Sequence, residues 1–532
     1  MKTVIKITSG VLMIFMLFGC TKNFDKINED PNYPTEVTTS SLMTAAQKGL
    51  CDDIYDEWWG GRQSMVWSEY WTQRNYTSED RYAIRQNTNS GYWRLIYHDI
   101  NNLQEIIRLN TNPETKAMAA LEGDNTNQIA CATILKIWAM QIMADTYGDI
   151  PYSEAFNGEG ESAILTPKYD NLEALYNTFY TELTDAVGSI DDTKDGFISG
   201  DVIYNGNMVN WKKFGNSLRL RVALRMSKGD YSLANSIVNE VGEDGFIASN
   251  AENADFAYLG ATPNNSPMYD AFWTSARNDF TVAKPFINLL KGVDDTLNGK
   301  INPFSGLVDP RLEIFSRPKS GKYLGMPYGM PDAESQAYKS KCPSFYGAGA
   351  YDPTYAIVVL NAKFPMPFLH YDEVQFMLSE INGWDQVHYS NGVYASIAYW
   401  RDLSIELENG FWPDSRISDF NANFDAYMAA LPPASKSTVM AQKYLAFYVQ
   451  GYQAWAEYRR TGESQFLVKP GEITHQASDG TPIYFEPLVS INTVPWRLTY
   501  PQQEYTINAT AVKAAADAIG GDKMSTKLFW QP

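Results

Sequence analysis

Residues 170–190, DNLEALYNTFYTELTDAVGSI, decide the fold class. Apolar side chains fall at Leu172, Leu175, Tyr176, Phe179, Tyr180, Leu183, Val187 and Ile190, the spacing that places them on one face of an α-helix. Asp170 followed by Glu173 reads as a capping box at its start. A helix with one apolar face must bury that face against a neighbour. On the N-terminal side, GYWRLIYHDINNLQEIIRL (91–109) repeats the pattern through Trp93, Ile96, Tyr97, Ile100, Leu103 and Ile107. Between the two, QIACATILKIWAMQIMADTYG (128–148) is apolar on nearly every side apart from Lys136 and Gln141, as a central helix would be. Further helices are predicted near 211–227, 371–382, 391–408 and 436–460. They form pairs able to fold back on one another, so the expected fold is mainly α, built from tetratricopeptide-like helical hairpins, although no clear repeat of roughly 34 residues is visible. The stretches 191–210, 244–285, 292–368 and 464–510 are rich in Pro, Gly, Asn and aromatic residues. They predict a large irregular half with a few short strands, where binding loops would lie.

The N-terminus, MKTVIKITSGVLMIFMLFGC, has Lys2 and Lys6 before an apolar run from about Val11 to Phe18. That run is too short to span a bilayer and suits a secretory signal. It ends in Leu17-Phe18-Gly19-Cys20, which is similar to a bacterial lipobox, with Phe18 bulkier than usual there. Residues 1–19 are therefore read as a lipoprotein signal peptide and Cys20 as the lipidation site. Acyl chains on one cysteine anchor stably, because each buried methylene contributes about 0.8 kcal/mol. Residues 20–40 are polar, hold two prolines and show no periodicity, as in a flexible tether. A single domain is expected over 41–532, and no later window is expected to span a membrane. Cys51, Cys131 and Cys342 remain, an odd number that predicts no disulfide framework. The formal charge is −19 across 532 residues. A surface that negative repels phosphate backbones, which excludes nucleic acid as a partner.

Glu57–Tyr76, EWWGGRQSMVWSEYWTQRNY, crowds four tryptophans and two tyrosines together. Trp67 and Trp71, four apart, would share a helix face and belong to the core, whereas Trp58 and Trp59 precede Gly60-Gly61, where a helix is not expected. Catalytic motifs are fragments only. Asp294–Gly299, DDTLNG, has calcium-loop residues, but Ser305 stands where a bidentate Glu belongs. We read it as a chance match and expect no cofactor, with a structural calcium ion the one exception left open. Ser316–Lys319, SRPK, contains a proline that breaks the helix a Ser-x-x-Lys pair needs. GAGAYD from Gly347 lacks a third glycine and a preceding strand. His98, His370, His388 and His475 are scattered, so zinc is not expected.

Six blocks then carry a resemblance: DTYGDIPYSEAF (Asp145–Phe156), NSLRLRVALR (Asn216–Arg225), VDPRL (Val308–Leu312), YDEVQFMLSE (Tyr371–Glu380), QKYLAFYVQGYQAWAEYRRTG (Gln442–Gly462) and RLTYPQQEYTIN (Arg497–Asn508). In this order, behind a lipobox and tether, they resemble the SusD/RagB family of Bacteroidota, most closely its SusD-like subgroup. The resemblance implies an outer-membrane lipoprotein facing the cell exterior. It implies a helical scaffold with an irregular ligand-binding half that closes over a SusC-like TonB-dependent β-barrel transporter and delivers nutrients, most often oligosaccharides, without catalysis. Peptide binding of the RagB type, a lipid-anchored glycan hydrolase and a helical scaffold without small ligand are the alternatives.

The residues suggest roles beside that resemblance. Tyr444, Tyr448, Tyr452 and Trp455 would form one helical stripe, with Arg459 and Arg460 favoured by the dipole in the last turn before Gly462. Pro151 would force Ile150 into extended geometry, and Arg497 would pair with Glu504. If the ligand is a sugar, exposed rings supply flat contact for a pyranose face while Arg, Asn and Asp take its hydroxyls. The candidates are loop aromatics: Tyr76 and Tyr82 in NYTSEDRY, Trp273 with Arg277 in YDAFWTSARND, and Tyr346 and Tyr351 in FYGAGAYD.

Overall fold

The computed structural model describes residues 37–158, 162–276, 278–343, 358–408, 411–463 and 465–532. The signal segment, Cys20, most of the tether, Arg277, Tyr346, Tyr351 and the run from Gly347 lie outside them. Twelve of the described helices have ten or more residues: α1 (Thr39–Ile54), α2 (Gln86–Thr111), α3 (Asn125–Tyr147), α4 (Leu172–Ser189), α5 (Met208–Met226), α6 (Ser232–Val241), α7 (Tyr371–Ile381), α8 (Gln386–Leu407), α9 (Asp414–Ala429), α10 (Lys436–Ala446), α11 (Gly451–Thr461) and α12 (Ala509–Ala518). Each of α1 to α5 packs against the next in sequence, and α7 packs on α8 and α10. This is the mainly α, helical-hairpin architecture expected. The strands are short and form three two-stranded antiparallel ribbons, of which β1 (Trp71–Gln73) pairs with β3 (Phe280–Val282) and β2 (Ala254–Phe256) with β4 (Met366–Leu369). One core cluster extends from Leu42 to Trp530, with a small satellite of Met326, Met330 and Cys342.

Several local readings change. Helix α1 starts at Thr39, inside the expected tether, because the Thr38 side chain accepts from Ser41 N. Helix α4 is capped by Asn171, whose side chain accepts from Glu173 N and Ala174 N, so the Asp170 box does not form. Asp170 instead accepts from Tyr152 N at 3.0 Å and Ser153 N at 2.8 Å, which ties down the extended chain after Pro151; Ile150 there bridges Asp170. Helix α3 is long and apolar enough to cross a membrane, contrary to the expectation for later windows, and 83% of its most apolar window is buried inside the fold. It is the central helix.

The block Gln442–Gly462 is two helices, not one. The chain turns between Ala446 and Gly451, with Val449 at φ 73° and Gln450 leading into α11. Trp58-Trp59-Gly60-Gly61 is helical after all, as a π-helix over Glu57–Met65 that begins where the Asp56 carboxylate accepts from the N–H groups of Trp58, Trp59 and Gly60. The two differences share one cause. A Cβ on Gly451 would stand 2.4 Å from the Ser64 carbonyl carbon, so the backbones of the π-helix and α11 touch directly, and Ser68 donates its hydroxyl to Gly451 O. Trp67 and Trp71 are core as expected, 1% and 0% exposed, but they share no helix, since Trp71 lies in β1.

Buried ions join the signature blocks. Arg221 of α5 donates twice to Glu373 of α7, at 2.7 and 2.6 Å. Arg225 reaches Asp145 of α3 at 3.2 Å and also pairs with Glu457 of α11. Glu457 further holds Lys443 and Arg460, each at 2.8 Å. Burial acts to raise the Glu457 carboxyl, but these three cations outweigh it and hold it well below the ordinary carboxylate range. Arg497 pairs with Asp522 and donates to Tyr147 O at 2.7 Å, while Glu504 accepts from Tyr169 at 2.7 Å; the expected Arg497–Glu504 pair does not form. Cys51, Cys131 and Cys342 are buried free thiols.

Candidate ligand-binding site

Two of the candidate loops meet at one end of the β1–β3 ribbon. The ladder pairs Trp71 with Val282, Thr72 with Thr281 and Gln73 with Phe280. Beyond it, Arg74 N donates to Asp279 O. Arg74 Nη1 donates to Asn278 Oδ1 at 2.7 Å and Asn75 Nδ2 to Asn278 O at 3.2 Å. The chain leaving β1 toward Tyr76 therefore runs beside the chain that arrives from Trp273. A short helix, Asp332–Tyr338, closes the opposite side. Tyr76 N donates to Asp332 Oδ1 at 3.1 Å, and Gln336 Nε2 and Lys339 Nζ donate to Asn75 Oδ1 at 3.1 and 2.8 Å. Thr281 donates to Pro343 O at 2.6 Å. Tyr346 and Tyr351 lie outside the described residues.

The loop after β1 is closed from below by its own side chains. Gln73 N donates to both oxygens of Asp80, while the Gln73 amide oxygen accepts from Glu79 N and Asp80 N. Burial pushes the Asp80 carboxyl up to about 7, against the donors Thr72 and Gln73 that favour its anion. Arg62 of the π-helix lies beneath both loops, pairing with Asp279 at 2.7 Å and stacking on Phe280. Arg85 pairs with Glu79 at 2.8 Å.

Tyr76 is 67% exposed and held at φ 57°. A non-glycine residue in the left-handed region persists only where its surroundings hold it there, and here the hydrogen bond to Asp332 does so. Trp273 lies within a π-turn, Asp270–Thr274, and is half-buried against the core. Tyr82 is different: it is 1% exposed, edge-on to Trp67 and Phe485 at 6.0 and 5.1 Å. Its ring is packing, because the closed loop folds it inward, and it offers no face to a ligand. Sequence reasoning missed the polar frame of Arg74, Asn75, Asn278 and Lys339, and the half-buried Tyr338. Their neighbours in the chain are the aromatic candidates, but only the ribbon brings the groups together.

Other motifs have structural uses. Asp294 accepts from Asn302 N at 2.9 Å, and Asp295 from Leu297 N and Asn298 Nδ2 at 3.2 and 2.7 Å, so both carboxylates fold their own turn. Among the described residues, no three His, Cys, Asp or Glu side chains gather as a metal site would need. Ser316 is buried, and Lys319 donates to the carbonyls of Ser340 and Cys342.

A family model described as "Starch-binding associating with outer membrane", SusD-like, matches residues 31–483. The chain belongs to this SusD-like family. Among solved structures, a chitin-binding protein superposes with TM-score 0.69 at 23% identity, covering 93% of this chain and all of that one. A SusD homolog from Parabacteroides distasonis gives 0.69 at 22%, covering 93% and 98%. A chitin-binding SusD homolog from Flavobacterium johnsoniae gives 0.65 at 20%, covering 92% and 98%. At these identities the likeness is one of fold. No protein with curated annotation matches the chain.

Proposed function

We propose that this chain is an outer-membrane lipoprotein, anchored through Cys20 at the cell surface, that captures an oligosaccharide at the β1–β3 rim and passes it to a SusC-like TonB-dependent β-barrel. The observation that carries the binding reading is the exposed ring of Tyr76 beside the polar frame of Arg74, Asn75, Asn278 and Lys339 at one ribbon end, reached by the chain that carries half-buried Trp273. Rings for the apolar face and amide or guanidinium groups for hydroxyls are what a sugar asks of a protein. The family description and the chitin-binding relatives support that ligand class. Three neighbouring carboxylates are engaged: Asp279 by Arg62, Glu79 by Arg85, and Asp80 by Thr72 and Gln73. That favours binding over the carboxylate pair of a glycan hydrolase.

Calorimetric titration against a glycan panel tests this. Trp273→Ala and Tyr76→Ala should each weaken binding by roughly 1–3 kcal/mol with the fold intact. Trp71→Ala should instead cost about 3–5 kcal/mol of stability, because its ring is fully buried. Unchanged affinity in both rim variants would sink the placement of the site.

A further inference from the structure

Six large apolar side chains stay exposed at one end of the fold, where the chain enters α1. Val37 directly precedes the helix. Met118 and Leu121 lie one turn apart on the short helical segment Lys116–Glu122, and Ile198, Val202 and Val209 come from the turn before α5 and its first residues. Each is more than a third exposed, Leu121 and Ile198 as much as 65% and 64%.

Hydrogen bonds tie these segments together. In the first turns of α1, Ser40 donates to the Glu122 carboxylate at 2.5 Å, Thr44 donates to Gly200 O at 2.7 Å, and the Gln47 side chain accepts from Val202 N at 2.8 Å. Ile198 N donates to Glu122 O at 2.9 Å. The backbones also touch: a Cβ on Gly200 would stand 2.3 Å from Ser40 O, and one on Gly206, just before α5, 2.1 Å from Phe197 O. Single exposed apolar residues are ordinary on a protein surface. Six carried by segments bound to one another form a patch, and such a patch marks a surface that something covers.

The sequence outside the described residues indicates what does. Cys20 lies seventeen residues before Val37. A polar tether of that length has a root-mean-square span of about 20–25 Å and reaches at most about 60 Å when fully extended. An acyl anchor on Cys20 therefore holds a lipid surface close to this end, at an effective concentration in the millimolar range where a weak apolar contact suffices.

We propose that this end of the fold is the face that rests on lipid, its six apolar side chains entering the headgroup boundary of the bilayer to which Cys20 attaches. Three carboxylates of these segments are already engaged, Glu122 by Ser40, Asp124 by Lys194 at 3.3 Å and Asp201 by Gln47 at 2.8 Å, so the approach of lipid leaves those groups with their partners. Asp192 and Asp195, in the turn that leads to Ile198, are exposed. They limit the contact to the interface, because a charged side chain resists entry into hydrocarbon. A second protein could cover an apolar face as well, but the tether brings lipid to this end whatever else is bound. The inference rests on the lipoprotein reading of Cys20 and on no residue of the rim.

The test uses the acylated full mature chain in phosphatidylethanolamine–phosphatidylglycerol vesicles that hold no other protein. An environment-sensitive nitrobenzoxadiazole label is placed at Leu121→Cys or Ile198→Cys, and as control at Ile301→Cys, which is 80% exposed beside Phe466 and Ile473. The native thiols of Cys51, Cys131 and Cys342 are buried, and the replaced side chains are exposed, so melting temperatures should be unchanged. Relative to the Cys20→Ala chain in buffer, labels at 121 and 198 should brighten roughly twofold or more and shift to the blue, and lipids brominated high on the acyl chain should quench them. The label at 301 should not respond. If the chain floats with the vesicles but the labels at 121 and 198 stay dim, the lipid face is overturned; brightening that then appears only in native outer membranes, without quenching by brominated lipid, assigns the patch to a protein partner instead. Equal responses at all three sites overturn it too, since the contact would then have no preferred face. If the chain fails to float, the lipoprotein reading falls, and this inference with it.

Discussion

Arg459 lies in the last turn of α11, a position that suggests a surface cation favoured by the helix dipole. Its side chain is instead fully buried. The guanidinium carbon lies 3.5 Å from the centroid of Trp455, and its nitrogens donate to Asp145 O and Trp496 O. The residue ties α11 to the end of α3, more than three hundred residues away, and to the C-terminal segment. Asp99 is a buried acid of the opposite kind. Burial and the neighbouring Asp53 push its carboxyl up to about 9, and it packs over Gly49, where a Cβ would stand 2.3 Å from Oδ1. A folded-state pKa above the unfolded value means that this group's contribution to stability is fully present below about pH 4 and is lost as pH rises through about 9. Asp99→Asn should therefore flatten the fall in melting temperature between about pH 5 and about pH 8. An identical pH profile in wild type and variant would show that the carboxyl is ionised and solvated.

At the scale of elements, the contact between the π-helix and α11 explains two departures from simple periodicity. Both the Gly60-Gly61 pair and Gly451 look like helix breakers by propensity. Gly60 and Gly451 lie where a side chain would collide with backbone: a Cβ on Gly60 would be 2.9 Å from Ile54 O, and one on Gly451 2.4 Å from Ser64. The close approach places Arg62 under the binding loops, because the π-helix that carries it is clamped between α11, α1 and α2. Gly451→Ala should cost about 1–3 kcal/mol by overpacking and loosen the rim as well, read as a lower melting temperature together with weaker glycan binding. A fully stable variant would mean that the two backbones separate without cost.

For the whole molecule, the signature blocks behave as a set. Asn216–Arg225, Tyr371–Glu380 and Gln442–Gly462 are joined by Arg221–Glu373, Arg225–Glu457 and Arg460–Glu380, so their residues hold the scaffold while the rim comes from less patterned loops. Attachment belongs to this scale too. Cys20→Ala should abolish acyl labelling and release the folded protein from membranes, checked by fractionation. Persistent labelling in that variant would overturn the lipobox reading.

The sequence by itself determined the helices with strong periodicity. Asp170–Ile190 and Gly91–Leu109 show their buried faces in the spacing of their apolar residues, a local property that needs no partner to be read. It also showed that α3 is central, that Trp67 and Trp71 are core, and which loops carry spare aromatics. What it could not determine was set by groups distant in the chain. Tyr82 looks like Tyr76 in sequence, yet the Gln73–Asp80 clamp turns one inward and leaves the other out. Arg497 chose Asp522 over the nearby Glu504, and Asn171 displaced Asp170 as the cap of α4 because Asp170 was needed by the chain after Pro151. The polar frame of the rim exists only because β1 and β3, some two hundred residues apart, pair in one register. Those choices are tertiary because a hydrogen bond or an ion pair depends on geometry at about 3 Å, and only the folded chain brings the partners to that distance.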